Sequence, residues 1–363
     1  VHTGGIGTSL ELYTDVTKVK EKEFRATFEI KGKALYPKLD VLFAMMREIL
    51  MESKLGDEKR LKEILSMLKT RLQTSFLSAG HTTAVLRSLS YTSPIARFRD
   101  ITSGIGFYEV GKDLEENFEE RKELLIENLK KIAGRIFRKE NLMLSYTSAQ
   151  EGLAVLEKAV PQFADSLHTG EKESHGQCII HCKKRNEGFR TSSKVQYVAR
   201  TGNFIDGGAE YTGALQILKV ILSYDYLWQN VRVKGGAYGC MSGFNRIGEG
   251  YLVSYRDPNL EKTMEIYEGV VDYLKNFDID DRDMNKFIIG TISNLDRPMN
   301  PAAKGSRSLN LYMNRITEEM IRREREQILD AQQEDIRGLA TVLEAVLAAG
   351  ELCNRQRRRF GDK

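Results

Sequence analysis

The sequence predicts an α+β fold built as two similar segments, each with antiparallel strands backed by helices. Three patterns carry that reading. Phe24, Ala26, Phe28 and Ile30 alternate with Arg25, Thr27, Glu29 and Lys31, the two-residue period of a strand with one buried face. Leu61, Leu65, Leu68, Leu72 and Phe76, and again Leu114, Phe118, Leu125, Leu129, Ile132 and Ile136, recur at helical spacing, as on a face turned toward a core. Beyond Pro161 a second succession of strand, helix, strand, strand and helices begins, without visible repetition of the sequence itself.

Along the chain, Leu10 and Leu12 open a first strand and the alternation from Phe24 supplies the second. After Pro37 the period becomes helical, with Asp57 placed to cap the helix from Leu61 to Phe76. Asn141 to Tyr146 reads as a returning strand, and a helix from Ser148 to about Val160 is ended by Pro161. Residues 161–193 turn polar and lose their period, through His168-Thr-Gly, Glu171-Lys-Glu and Lys183-Lys-Arg, which sets a linker there between domains at 1–160 and 194–363.

In the second domain, Val195 to Ala199 reads as a strand and Thr212 to Tyr226 as a helix on Leu215, Leu218 and Leu222. Asp257-Pro258 is a helix opening, a capping carboxylate followed by proline, and Leu260, Met264, Tyr267, Val271 and Leu274 form one buried stripe. Helices continue to Ala349. Glu351-Leu352-Cys353 starts a closing strand, but the following Asn354 to Gly361 is expected to be too polar and basic to finish one, leaving Arg357-Arg358-Arg359 as a solvated tail. The first domain begins directly at its strands, so it is expected to lack the strand and helix that open the second.

Composition narrows the function classes. Among 363 residues, 55 Lys and Arg stand against 51 Asp and Glu, and a net charge of +4 over this length calls for no nucleic acid or anionic membrane as partner. No apolar run approaches the roughly 20 residues of a membrane helix, and no charged start leads into an apolar stretch. The expected compartment is the cytoplasm, or an organelle matrix if a leader was removed ahead of Val1. Four scattered cysteines suit reduced thiols. His175, Cys178, His181 and Cys182 cluster, but their spacing is not that of a paired zinc knuckle, so no metal site is assigned. His81 reads as a helix cap or surface residue. Neither H-E-x-x-H nor H-x-x-E-H occurs, nor a phosphate loop or a G-x-S-x-G elbow, so no catalytic residue is assigned to this chain alone.

The most informative stretch is Trp228 to Phe244, where Arg232 and Tyr238 flank Gly235-Gly236 ahead of the alternating Tyr251, Val253 and Tyr255. Gly-Gly inside a strand pattern marks a bulge or a close backbone approach. Arg232 and Tyr238 are six residues apart, so a regular strand sets them on one face and a bulge reverses that relation. Guanidinium and phenol both donate hydrogen bonds, which suits the carbonyls of an extended peptide.

The run Arg232-Val-Lys-Gly-Gly-Ala-Tyr238-Gly, followed by Ser254-Tyr-Arg-Asp-Pro-Asn-Leu260 and preceded by the opening Thr3-Gly-Gly-Ile6, resembles the pitrilysin/insulinase metallopeptidases in the presequence protease branch, over nearly the whole chain. The resemblance implies the third and fourth of four similar domains, forming one of two bowl-shaped halves that close on a chamber. It implies zinc in an absent N-terminal half, that half as partner, and a zinc-dependent endopeptidase acting on unfolded peptides. Arg232, Tyr238, Gly235 and Gly236 would then bind substrate backbone. A non-catalytic peptide-binding or scaffold member of the same fold is the alternative.

Overall fold

A computed structural model describes residues 3–170, 180–183, 185–191, 194–349 and 351–357. The first segment starts with the antiparallel pair β1 (Ile6–Tyr13) and β2 (Arg25–Gly32), registered Ile6 to Gly32 and Tyr13 to Arg25. The helices α1 (Leu39–Met51), α2 (Glu58–Ser78), α3 (Gly80–Leu89), α4 (Pro94–Ser103), α5 (Ile105–Glu116), α6 (Phe118–Ile136) and α7 (Gln150–Asp165) follow. Asp57 caps α2 by accepting from the Arg60 N–H at 3.0 Å, as its position predicts.

The second segment carries β3 (Asn186–Thr191), β4 (Val198–Asn203), α8 (Ala214–Tyr224), β5 (Gly239–Phe244) and β6 (Glu249–Tyr255). Next come α9 (Glu261–Glu268), α10 (Val270–Lys275), α11 (Asp281–Leu295), α12 (Pro301–Met313), α13 (Glu318–Leu329), α14 (Gln333–Gly338), α15 (Ala340–Ala348) and β7 (Glu351–Arg357). Their sheet has the order β3-β7-β4-β6-β5, antiparallel except for the parallel pair β3 and β7.

Several expectations are corrected. The strand expected at Asn141 to Tyr146 does not form: this stretch carries no strand pairing and lines, together with the free edge of β2, a cleft of about 1700 Å³. A strand needs an edge to pair with, and none adjoins it among the described residues. Pro161 does not end α7, which runs on to Asp165. Leu156, Ala159, Phe163 and Leu167 pack on Leu39, Leu42, Phe43 and Met46, with the Phe43 and Phe163 rings 5.1 Å apart, and this burial holds the turn that proline weakens. The stripe from Leu114 to Ile136 is split at Asn117 between α5 and α6. Residues 161–193 are not linker throughout, since they hold the end of α7 and β3. The polar Asn354 to Arg357 does complete a strand, because β7 lies between β3 and β4 and its backbone groups pair on both sides; residues 358–363 of the tail lie outside the described residues, as do His175 and Cys178. Asp257 opens no helix directly: α9 begins at Glu261, and the buried Asp257 carboxylate accepts from the Asn259 N–H and the Thr263 hydroxyl.

The larger core lies between one face of the five-stranded sheet and α8, α10, α13, α14 and α15, with Leu218, Leu222, Tyr267, Leu274, Ile328, Ile336 and Leu343 fully buried. The Tyr267 hydroxyl donates to the Val198 carbonyl and so is satisfied inside that core. The opposite face is covered by α3, whose Ala84 packs with Tyr197, Ala199 and Val253. A Cβ at Gly80 would lie 2.3 Å from the Tyr197 ring, so the approach of α3 requires glycine there. Beside it, Arg87 is buried and donates to Asp100 at 2.7 Å and, through two nitrogens, to Glu187 on β3 at 2.7 and 3.2 Å. This charge network ties the first segment's helices to the second segment's sheet.

Candidate substrate-binding site

The chain between α8 and β5 makes the site. Leu227 and Val231 are fully buried and anchor a π-helical turn, Trp228–Val233, on which Arg232 sits half-exposed. Two glycines then reverse the backbone. A Cβ at Gly235 would lie 2.4 Å from the Val231 carbonyl oxygen, so nothing larger fits, and Gly236 has φ +80°, the left-handed region that favours glycine. The Gly236 N–H donates to the Arg232 carbonyl at 2.9 Å, the Ala237 N–H to Val231 at 3.1 Å, and Asn259 Nδ2 to the Gly235 carbonyl at 2.6 Å. The Tyr238 N–H then donates to the Tyr255 carbonyl at 3.1 Å, and the chain continues as β5 beside β6.

The expected Arg-Gly-Gly-Tyr strand is therefore a helical turn, a glycine reversal and the start of a strand. Alternation along one strand does not relate Arg232 to Tyr238; the turn does. It still brings them together. The Arg232 guanidinium carbon lies 3.8 Å above the Trp228 ring and 6.0 Å from the centre of the Tyr238 ring. Tyr238 is 67% exposed, and its ring meets that of Tyr255 edge-on at 5.8 Å. Arg232, Val233, Gly236, Ala237, Tyr238 and Arg256 line an open concavity of about 500 Å³.

Sequence reasoning missed three contributors. Trp228 stands one helical turn before Arg232, a spacing that signals the stacking only once the stretch is read as helix. Arg256, next to Tyr255, extends its guanidinium over that ring at 5.4 Å. His81, read as a cap or surface residue, instead packs edge-on against Tyr255 at 4.8 Å, and burial lowers its basicity.

Chemically the concavity offers donors. Among the described residues neither Arg232 nor Arg256 has a carboxylate partner, so a visiting acceptor meets two guanidiniums and a phenol. Cys240, two residues after Tyr238, is no nucleophile here, since burial pushes its thiol up to about 11. Among the described residues no group of three His, Cys, Asp or Glu is placed to hold a metal ion.

Comparison with known proteins gives the family. The family model described as "PreP C-terminal domain" matches residues 186–353, which contain the concavity, and a second model, for the segment associated with subfamily C of the M16 peptidases, matches residues 1–114. The chain belongs to the M16 metallopeptidase family, in its presequence protease branch. Among M16 relatives, Protein HypA of Clostridium perfringens is 36% identical over 97% of this chain and 36% of its own length. Presequence protease 1, chloroplastic/mitochondrial, of Arabidopsis thaliana is 30% identical over 96% of this chain and 32% of its own length. The chain thus spans about a third of these curated relatives. In fold it matches a peptidase M16 inactive domain from Pseudomonas fluorescens, with a TM-score of 0.58 and 12% identity over 97% of this chain and 80% of the other. It also matches pitrilysin, with a TM-score of 0.61 and 10% identity over 99% of this chain and 37% of the other.

Proposed function

We propose that this M16 chain is the half of a zinc-dependent endopeptidase that does not hold the metal, forming one wall of a peptide chamber and binding the backbone of unfolded peptides. The observation that carries the reading is the convergence of Arg232 and Tyr238 on one open concavity, without a described carboxylate partner to occupy the guanidinium. The relatives' presequence protease names support it, and so does the place of the matched family model. The described residues do not fit a zinc site, so the reading assigns the metal to the N-terminal half and draws no step through it.

Each group then has a defined task. Arg232, oriented by stacking on Trp228, donates its fork of N–H groups to a substrate carbonyl. The Tyr238 hydroxyl, held at the mouth by its ring's contact with Tyr255, donates to the oxygen on which charge develops as a peptide bond is attacked. Gly235 and Gly236 keep the approach open for the peptide backbone. The same reading takes the free edge of β2, with the cleft beside it, as the seat of a strand supplied from outside residues 1–363.

The test separates the halves. Purified residues 1–363 alone should not cleave an unfolded peptide, and addition of the remainder of the protein should restore cleavage that a chelator abolishes. Chelator-sensitive hydrolysis by residues 1–363 alone overturns the reading.

A further inference from the structure

The proposed backbone contact uses one of the two guanidiniums in the concavity. Arg256 supplies the other, and its placement is imposed by the fold. Its backbone has φ +49°, a left-handed conformation that an arginine adopts only when its surroundings dictate it. On one side the Tyr238 N–H reaches the carbonyls of both Tyr255 and Arg256, at 3.1 and 3.4 Å. On the other, fully buried Asp257 exchanges backbone hydrogen bonds with Gln196 and receives the Asn259 N–H and the Thr263 hydroxyl. The strained residue is thus clamped between two fixed neighbours. The clamp turns the side chain over the Tyr255 ring and onto the lining of the concavity that Arg232 also lines.

Two like charges lining one small concavity, neither with a described carboxylate partner, repel each other until an anion arrives. A guanidinium's planar fork matches the two oxygens of a carboxylate. We propose that Arg256 and Arg232 together form a carboxylate-binding pair that selects peptides presenting an acidic group in this concavity, either an Asp or Glu side chain or a free C-terminus. This rests on the reading of the concavity as a peptide site, and it adds a preference that backbone recognition alone does not give, since every peptide has carbonyls. Arg256 is then a specificity-determining residue.

The test uses the full-length enzyme and two sets of matched peptides. One set replaces a single Gln by Glu at successive positions; the other compares a free C-terminal acid with its amide. The parent enzyme should favour the acidic member of one set by about tenfold or more in kcat/KM, as for a hydrogen bond to a charged group. The set showing the preference identifies the source of the carboxylate. In Arg256→Gln, which keeps the same backbone demand and is checked for parental thermal stability, the ratio should fall toward one. A ratio near one for both sets in the parent, or an unchanged ratio in Arg256→Gln, overturns the proposal. Tyr238→Phe separates this from the reading beneath it. If that variant slows turnover of every peptide while the acidic ratio is one, only the carboxylate pair is lost; if it leaves turnover unchanged, the backbone-binding reading fails.

Discussion

The Arg232 guanidinium carbon stands 6.0 Å from the centre of the Tyr238 ring although Arg232 belongs to a helical turn and Tyr238 directly precedes a strand. The Gly235-Gly236 reversal makes that meeting, so the two glycines should respond differently to substitution. At Gly235 an added methyl runs into the Val231 carbonyl oxygen at 2.4 Å, and Gly235→Ala should cost about 1–3 kcal/mol of stability by overpacking. At Gly236 the nearest atom to a new Cβ is Pro258 Cγ at 3.6 Å, so Gly236→Ala should cost only the left-handed backbone, about 1–2 kcal/mol. Both should lower turnover, and denaturant titration with peptide kinetics checks the two quantities separately.

Tyr238→Phe should leave thermal stability within error of the parent, because the ring is 67% exposed and no described group bonds its hydroxyl. In the full-length enzyme it should lower kcat by about ten- to a thousandfold, the scale of losing one transition-state donor. Arg232→Ala should raise KM more than it lowers kcat, and Arg232→Lys should not rescue it, since an ammonium loses both the fork and the flat stacking on Trp228. Steady-state kinetics on one good peptide decides both.

Acid stability should report on Glu187. Burial would raise its carboxyl, but hydrogen bonds from Arg87 and Tyr91 and the Arg87 charge outweigh this and hold it at about 2, below the ordinary 4.5. A lowered folded value means the stabilisation is complete above about pH 4.5 and is lost as pH falls toward 2. Glu187→Gln should therefore lose stability at neutral pH, by about 1.5–3 kcal/mol for weakened charged hydrogen bonds, and show a flatter decline between pH 4.5 and 2. Melting curves across that range test the sign.

Arg256→Gly relieves the left-handed backbone at φ +49° and should be neutral or stabilising by up to about 1 kcal/mol, offset by greater freedom of the unfolded chain. A loss of more than about 2 kcal/mol would show that the stacking on Tyr255 outweighs the strain.

What was legible in the sequence follows from the range of the forces involved. The Asp57 cap, the stripe of α2 and the alternation of β2 are local, and they appear where periodicity puts them. The run through Pro161 and the polar strand β7 were misread because partners distant in sequence decide them: α1 for the first, β3 and β4 for the second. Tyr238 and Arg232 were legible as a pair of donors around two glycines, but the strand geometry assigned to them was not, since a positive φ at Gly236 cannot be told from a bulge by spacing. Arg256 lay inside a quoted motif and was passed over, because nothing in its spacing shows that Asp257 and Tyr238 clamp its backbone.

The docking of α3 on the second segment's sheet also bears on how such a chamber opens. Sliding one half of this chain over the other would pull the Tyr197 ring off the Gly80 backbone and strip Arg87 from Glu187 at the same moment. Those two costs coincide at one spot, so the chain behaves as a stiff panel. The hinge that admits a peptide then belongs outside it, and substitutions that loosen α3 should blur the site without speeding its opening.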